Sequence, residues 1–255
     1  MYNSIQDTLI IGKKVIYLPT CHSTNDIASE IVHAGLFDEG TIVITDNQVK
    51  GKGQRGTEWV ANPGQNLTFS VILTPGFLPV MDQFLLSQTI ALGIHAYVHK
   101  YSENVKVKWP NDILVNGKKV CGVLIENAIQ GNKISNSIIG IGVNINQEIF
   151  TNSHATSIGK ETGKQFTLSE EFHKLLRCLD LHYANLKSTT LHDRIRADYL
   201  TNLYGYDQSV RFKFQNRTFE GKVSSVTPQG RLVMQLLSES GTLEVGLKEI
   251  EWLRD

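Results

Sequence analysis

Residues 105–127 hold the side chains best suited to chemistry. The segment reads VKVKWPNDILVNGKKVCGVLIEN and combines cationic, amide and carboxylate groups with two apolar runs. Asn116-Gly117 predicts a tight hairpin turn between those runs. Gly122, inside the second run, would let a ligand or another backbone approach closely. Cationic side chains beside a water-poor strand pair suit an anionic ligand laid across a sheet.

Each of these features also has a purely structural interpretation. Lysines at strand ends are usually solvated edge charges, and Asn-Gly is usually only a turn. The combination is rarer, because Trp109-Pro110-Asn111-Asp112 is followed by Lys119 and then by Cys-Gly-Val-Leu-Ile-Glu. The whole segment resembles the KWPND…K(x)xG(I/V)L(I/V)E segment of biotin protein ligases.

Length and composition predict an ordinary globular protein with one large and one small domain. The 255 residues carry 25 basic and 25 acidic side chains, so any nucleotide site must come from local clustering rather than from net charge. Three cysteines without metal-type spacing favour a reduced, cytoplasmic protein. We expect no secretory signal and no membrane span. His95 and His99 have no third ligand nearby in sequence, which favours a helix surface over a metal site.

A hydroxyl-rich and amide-rich run follows the first predicted strand. That strand covers residues 15–18 and is expected to end at Pro19, and residues 20–26 should cap a helix that ends at Gly35. A plain helix cap explains Ser23 and Thr24, although a helix start also presents N–H groups to a ligand. The order of strand, Ser-Thr-Asn and helix resembles that of biotin and lipoate ligases. It implies that Ser23 and Thr24 bind the ureido ring of biotin.

A glycine-rich basic loop follows the next predicted strand, residues 41–45. Its sequence, GKGQRG at 51–56, could wrap an anion, but it lacks the pattern of a P-loop, and alone it would suit a flexible surface loop. It resembles the GRGRxG loop of biotin ligases, which closes over biotin and the adenylate. By resemblance Gln48 and Lys52 match family positions, whereas Gln54 stands where many members carry arginine. Arg55 is then the candidate to supply that charge.

Two glycines interrupt a later apolar run. Residues 66–73 and 138–146 are predicted strands, and residues 84–97 a helix that needs no chemistry to explain it. Gly140 and Gly142 alternate in the second strand, so either a crossing strand or a ligand must approach that face. The stretch resembles the family's IGxGxN strand. The resemblance places Gly140 in the biotin slot and Asn144 near the nucleotide.

The C-terminal part changes character. Residues 168–186 and 192–203 are predicted helices, and from residue 208 the chain turns to short alternating segments separated by turns. Five or so short strands suggest a small barrel, which resembles the SH3-like domain of biotin ligases. The predicted fold is α+β, a mixed sheet with packed helices like that of class II aminoacyl-tRNA synthetases and biotin–lipoyl ligases. We place a catalytic domain at 1–205 and the barrel at 206–255.

The resemblance implies two reactions and a set of site residues. Biotin and MgATP would give biotinyl-5'-AMP, and a lysine of a biotin carboxyl carrier protein would then attack it. The implied catalytic residues are Lys119, Lys52 and Asp112. The implied biotin-binding residues are Ser23, Thr24, Gln48, Gly51, Lys52, Lys119, Gly122 and Gly140. The implied ATP and adenylate residues are Gln54, Arg55, Trp59, Asn111, Lys119 and Asn144, with Asn111 and Asp112 as candidate Mg2+ ligands.

Three alternatives compete with this interpretation. A lipoate or octanoate ligase shares the architecture, but the chain lacks the RRxxGGGxVxH run of those enzymes. A repressor would need an N-terminal helix-turn-helix domain, and the motif at Ser23 leaves no room for one, so we expect a monofunctional form without DNA binding. A binding module without catalysis would be indicated by loss of Lys119 or Asp112, and both are present. The oligomeric state, monomer or homodimer, is left open.

Overall fold

A seven-stranded mixed sheet forms the centre of the larger part of the fold. The computed structural model describes residues 2–206, 208–237, 241–247 and 249–253, with the Arg55 side chain excepted. The strands run in the order β1-β2-β3-β7-β6-β5-β4. Only β1 and β2 pair in parallel, and the other neighbours are antiparallel. The strands are β1 Val15–Cys21, β2 Thr41–Gln48, β3 Leu67–Leu73, β4 Val105–Lys108, β5 Asp112–Val115, β6 Lys118–Gln130 and β7 Lys133–Val143.

Helices cover both faces of this sheet, as the mixed α+β prediction requires. They are α1 Thr24–His33, α2 Phe84–Val98, α3 Ile158–Thr162, α4 Leu168–Leu186 and α5 His192–Thr201, with short 3-10 turns at 54–56, 80–82 and 189–191. On one face α1 packs through Ala28 against Val43, Ile72 and Ile138. On the other, α2 and α4 join the main apolar core. None of the helices in the described residues is both long and apolar enough to span a membrane.

The sequence located several of these elements correctly. The bounds of α4 match the prediction, and one face of the helix is buried through Phe172, Leu175, Leu176, Leu179 and Tyr183. The hairpin turn is confirmed, since Asn116 and Gly117 have φ values of 50° and 75° and join β5 to β6. The predicted stop at Pro19 is wrong, because β1 continues to Cys21. A proline is tolerated there because β1 lies at an edge of the sheet and has an unpaired side.

The C-terminal strands form an antiparallel sheet in the order β11-β10-β9-β8-β12. They are β8 Val210–Phe214, β9 Arg217–Val226, β10 Leu232–Leu236, β11 Thr242–Val245 and β12 Ile250–Leu253. The predicted barrel is wrong in its closure, because β11 and β12 lie at opposite edges and do not pair in the described part of the chain. The apolar face of this sheet packs instead against the larger part of the fold, since Phe212, Met234 and Val245 are buried in the same core as the larger sheet.

A buried carboxylate holds the N-terminal segment against α4. Asp180 is 5% exposed and accepts the backbone N–H groups of Leu9, Ile10 and Ile11 at 2.6, 2.7 and 2.8 Å. Buried N–H groups need a partner, and a charged acceptor binds them more strongly than a neutral one. This carboxylate therefore provides hydrogen-bond acceptors for residues 9–11, which lie outside the strands of the sheet.

We expect Asp180→Asn to lower the free energy of unfolding by about 2 kcal/mol, because it removes the charge and one of the acceptors for buried donors. Urea unfolding measures this. Asp193→Asn is the matched control at a fully exposed side chain (100%), where a change within about 0.5 kcal/mol is expected. Equal stabilities of the two variants would contradict the assignment.

A second buried carboxylate joins α2 to α4. Glu171, 1% exposed, accepts hydrogen bonds from the hydroxyls of Tyr97 and Tyr101 and from Lys174. Burial raises the pKa of the Glu171 carboxyl, but hydrogen bonds from the two tyrosines and from Lys174 outweigh burial. The net pKa lies below its ordinary value. The ionised form is therefore the one that the fold stabilises.

This pKa shift predicts an acid-dependent loss of stability. Because the folded pKa is the lower one, the contribution is present above the unfolded pKa of about 4.3 and is lost as the pH falls through the folded pKa. We expect the unfolding free energy of Glu171→Gln to depend less on pH below about pH 4.3 than that of the wild type. Urea unfolding at a series of pH values tests this, with the exposed Glu170→Gln as control. Parallel profiles for Glu171→Gln and wild type would refute it.

Candidate active site

A cavity of about 390 Å³ opens where the start of α1, the glycine-rich loop, the centre of the large sheet and the C-terminal sheet meet. Most of the site residues predicted from the sequence line it. They are Ser23, Thr24, Gln48, Lys52, Gln54, Trp59, Asn111, Asp112, Lys119, Gly122 and Gly140. Gly51 and Asn144 are not among the lining residues, and the side chain of Arg55 lies outside the described part of the structure.

Two paired glycines lie at the centre of the sheet where it lines the cavity. Gly122 of β6 and Gly142 of β7 are register partners, and the indole ring of Trp59 lies against both. A Cβ added at Gly142 would come within 2.3 Å of Trp59 Cε2, and one at Gly122 within 3.3 Å of Trp59 Cζ3. Glycine is therefore required at 142 for this ring position. The indole therefore covers this glycine pair and adds a flat apolar surface to the cavity.

One end of the cavity is polar and buried. Ser23 and Thr24 are 1% and 2% exposed, and Ser23 occupies the N-cap position of α1 although its side chain makes no capping hydrogen bond. The Oε1 atom of Gln48 accepts the Thr24 backbone N–H at 2.8 Å and lies 3.2 Å from its Oγ1. Hydroxyl and amide groups at a helix start are suited to hydrogen-bond a neutral polar ligand group.

The other end carries an ion pair, Lys119 Nζ to Asp112 Oδ1 at 2.7 Å. Lys119 lies three residues before Gly122, which in a regular strand would put the two on opposite faces. A bulge in β6 shifts the register so that Leu114 pairs with Lys119 while Ile113 pairs with Cys121. The extra residue turns Lys119 back to the cavity face, and its Nζ lies 5.8 Å from the centroid of the Trp59 ring.

The second predicted cation, Lys52, pairs with a different carboxylate from that of Lys119. Lys52 forms a hydrogen-bonded ion pair with Asp26 of α1, and this contact raises the pKa of the Lys52 ammonium above its ordinary value. Lys52 is half exposed, with 49% of its side chain accessible. Asp26 was not among the residues predicted from the sequence, where its only signal is an acidic side chain in the first turn of α1. Lys52 lines the cavity as a charged group at its rim.

Several predicted nucleotide residues have structural partners. The Asn111 side-chain amide donates to the Val123 carbonyl, and the Asn144 side-chain amide donates to the Thr156 carbonyl at 3.0 Å, away from the cavity. Gly51 lies against the Trp59 carbonyl, where an added Cβ would come within 2.1 Å of the oxygen. The nucleotide roles of Asn111 and Asn144 stay predictions.

The C-terminal sheet contributes to the cavity in a way that the sequence did not reveal. Leu247, Ile250 and Trp252 line it, and the indole N–H of Trp109 donates to the Gly230 carbonyl at 2.9 Å across the two sheets. A second cavity of about 580 Å³ adjoins the first and shares Gln54 and Asn111 with it. The site is therefore built by both sheets.

Comparison with known proteins identifies the class. The model of the biotin/lipoate A/B protein ligase family matches residues 17–144, half of the chain, and the chain belongs to this family. The bifunctional ligase/repressor BirA of Bacillus spizizenii is 29% identical over 252 residues, 96% of this chain and 75% of that protein. The biotin--[acetyl-CoA-carboxylase] ligase of Paracoccus denitrificans is 35% identical over 108 residues, 40% of this chain and 43% of that one.

A solved structure shows the same fold. The biotin protein ligase from Aquifex aeolicus in complex with biotin and ATP superposes with a TM-score of 0.77 at 24% identity, covering 95% of this chain and 100% of that one. The predicted architecture, a mixed sheet with packed helices followed by a small β domain, is confirmed by this match.

We expect Gly142→Ala to displace the Trp59 indole, because the new methyl group would overlap the ring. Tryptophan emission should change, and the change should disappear when Gly142→Ala is made in a Trp59→Phe background. Gly76→Ala is the control, since its nearest neighbour, the Ile134 carbonyl oxygen, would be 3.9 Å away. Identical emission spectra for Gly142→Ala and wild type would count against the ring position.

Proposed function

We propose that this chain is a biotin protein ligase that activates biotin with MgATP to biotinyl-5'-AMP and transfers biotin to a lysine of a biotin carboxyl carrier protein. The observation that carries the proposal is the polarity of the cavity. A buried end with hydroxyl and amide groups, formed by Ser23, Thr24 and Gln48, is joined to the cation Lys119 by an apolar stretch that includes the Trp59 ring and the glycines beneath it. Biotin has this sequence of groups: a ureido ring, an apolar chain and a carboxylate.

The buried polar end also favours biotin over lipoate. A dithiolane ring cannot pair with hydroxyl and amide groups, and a site built to hydrogen-bond its substrate rejects an analogue that leaves those groups unpaired. Ser23 and Thr24 are almost fully buried, so a lipoyl ring would leave them without partners. Gly122 and Gly140 line the same cavity, and we assign them to the biotin site.

The first step joins two anions, because the biotin carboxylate attacks the α-phosphate of ATP and pyrophosphate leaves. We assign Lys119 to neutralise both and to stabilise the charge that develops, because its Nζ lies at the end of the apolar stretch and preorganised cations are the main source of such catalysis. Lys52 at the rim assists once an anion replaces Asp26 as its partner. Gln54, between the two cavities, and Trp59 are assigned to the adenylate, together with Arg55.

Mg2+ would be held by few protein ligands. In the described residues no three His, Cys, Asp or Glu side chains are grouped to bind a metal. This fits an ion held by one or two protein oxygens and by the phosphates of its nucleotide. Asp112 and the side-chain carbonyl of Asn111 are adjacent and line the cavity. When bound, Mg2+ would neutralise phosphate charge.

In the second step a neutral lysine of the carrier protein attacks the acyl carbon of a dry mixed anhydride, which forms an amide bond and releases AMP. Asp112 is the carboxylate nearest to Lys119, and we assign it to orient the incoming amine and accept its proton. Loop residues 51–56 and the Trp59 ring would exclude water from the adenylate.

We also propose that residues 1–205 form the catalytic domain and residues 206–255 a C-terminal domain. We propose a cytoplasmic location as well, which is supported by three cysteines that form no disulfide.

Lys119→Ala should reduce biotinyl-adenylate formation by about 10²–10³-fold, because it removes the cation at the reacting groups. Mass spectrometry of ligand retained after mixing with MgATP and biotin, together with pyrophosphate release, measures this. Lys118→Ala is the matched control, since that neighbouring lysine is exposed and should retain activity.

Lipoate in place of biotin separates the two ligase classes. Wild type should retain biotinyl-adenylate and no lipoyl-adenylate. Near-normal pyrophosphate release by Lys119→Ala would overturn the role of Lys119, and lipoyl-adenylate in the wild type would overturn the choice of biotin.

A further inference from the structure

We propose that Glu126, Asn25 and Ser70 form a relay of hydrogen bonds that fixes the Thr24 hydroxyl as an acceptor toward the cavity. Thr24 would then select a ligand that presents an N–H group at this point. The inference rests on the proposed function and deepens it, because it adds three positioning residues for recognition of the ureido ring. None of the three was among the site residues predicted from the sequence.

The first link is the amide of Asn25. Its Nδ2 lies 2.6 Å from Glu126 Oε2. An ionised carboxylate can only accept, so the amide nitrogen must face Glu126 and the amide oxygen must face the other way. Asn25 is 4% exposed, and its Oδ1 lies where a Cβ at Gly140 would be within 2.4 Å. The absence of a side chain at Gly140 therefore gives the amide its place.

The second link is the hydroxyl of Ser70, which is fully buried (0% exposed) on β3. Ser70 Oγ lies 2.6 Å from Asn25 Oδ1 and 2.8 Å from Thr24 Oγ1. A hydroxyl has one proton, and a carbonyl oxygen cannot supply one. Ser70 must therefore donate to Asn25, and the contact between the two hydroxyls is made with the proton of Thr24.

The third link is the Thr24 hydroxyl, whose hydrogen-bonding capacity determines which ligand group can bind beside it. With its proton directed to Ser70, the Thr24 hydroxyl keeps only lone pairs for the cavity that it lines. Gln48 Oε1 is the other acceptor within reach of this proton, but it lies 3.2 Å from the hydroxyl, beyond the usual O–H···O distance of about 2.5–3.0 Å. Ser70 Oγ, at 2.8 Å, is the closer acceptor. A ring N–H of a cyclic urea completes the arrangement. If an ether oxygen replaced this N–H group, its lone pairs would face the lone pairs of the Thr24 hydroxyl oxygen, and the two would repel.

The exposed end of the relay allows a test that does not disturb the core, since Glu126 is exposed. Glu126→Lys replaces an acceptor by a donor and should turn the Asn25 amide, so that Ser70 donates to Thr24 and Thr24 offers its proton. Glu126→Gln is the matched control, because its amide oxygen can still accept from Asn25 while the charge, which also acts on Lys52, is lost.

The measurement is the ratio of dissociation constants for biotin and for the two oxazolidinone analogues, each with one ring N–H replaced by oxygen. We expect wild type to prefer biotin over one of these by about 10²-fold or more. Glu126→Lys should reduce that ratio by about tenfold or more, and Glu126→Gln should stay within about twofold of wild type. A residue with a merely structural role would weaken the binding of both ligands alike and leave the ratio unchanged.

Ser70→Ala provides a second, independent break in the relay and should reduce the same ratio. Its control is Ser137→Ala, an equally buried serine whose hydroxyl donates to Asn127 Oδ1 at 2.6 Å outside the cavity, which should leave the ratio unchanged. Equal ratios in wild type, Glu126→Lys and Ser70→Ala would overturn the relay while leaving the proposed function intact. Failure of the wild type to bind biotin would overturn the proposed function itself.

Discussion

A stretch of sheet without side chains is the constraint on which the site depends. Gly122 and Gly142 pair across β6 and β7, and the Trp59 ring fills the space that two side chains would otherwise occupy. Glycine in central strands weakens a sheet, because it buries nothing and loses more backbone entropy on folding. The strands compensate by length: β6 and β7 have 13 and 11 residues. The cavity therefore lies where the sheet lacks side chains of its own at these two positions.

The two cations predicted from the sequence are each paired within the protein, Lys119 with Asp112 and Lys52 with Asp26. Anion binding is then an exchange of partners rather than a new neutralisation of charge. Such exchange moderates affinity, because each new ion pair is formed at the expense of an existing one. It also leaves Asp112 without its partner when Lys119 binds an anion. A freed carboxylate beside the reacting groups suits both metal binding and proton acceptance, the two roles proposed for Asp112.

The sequence was sufficient where local patterns decide structure. Helical apolar spacing located α4 to the residue, and Asn116-Gly117 located the hairpin turn. It failed where distant residues decide: Asn25 and Glu126 are 101 positions apart, and the bulge that turns Lys119 toward Gly122 depends on pairing with β5. Closure of the C-terminal strands was predicted wrongly for the same reason. Short strands with one apolar face fit a barrel or an open sheet, and the choice depends on what covers that face.

The apolar face of the C-terminal sheet packs against the larger part of the fold, and this packing brings the small sheet to the cavity. Phe212 and Met234 are buried in the core shared with the large sheet, while Leu247, Ile250 and Trp252 reach the cavity. A closed barrel would satisfy its own edges and could move as a unit, whereas an open sheet draws part of its stability from its neighbour. The hydrogen bond from Trp109 to the Gly230 carbonyl at 2.9 Å fixes the two sheets at the segment that also carries Asn111 and Asp112. The C-terminal strands are therefore better understood as one wall of the active site than as an appended module.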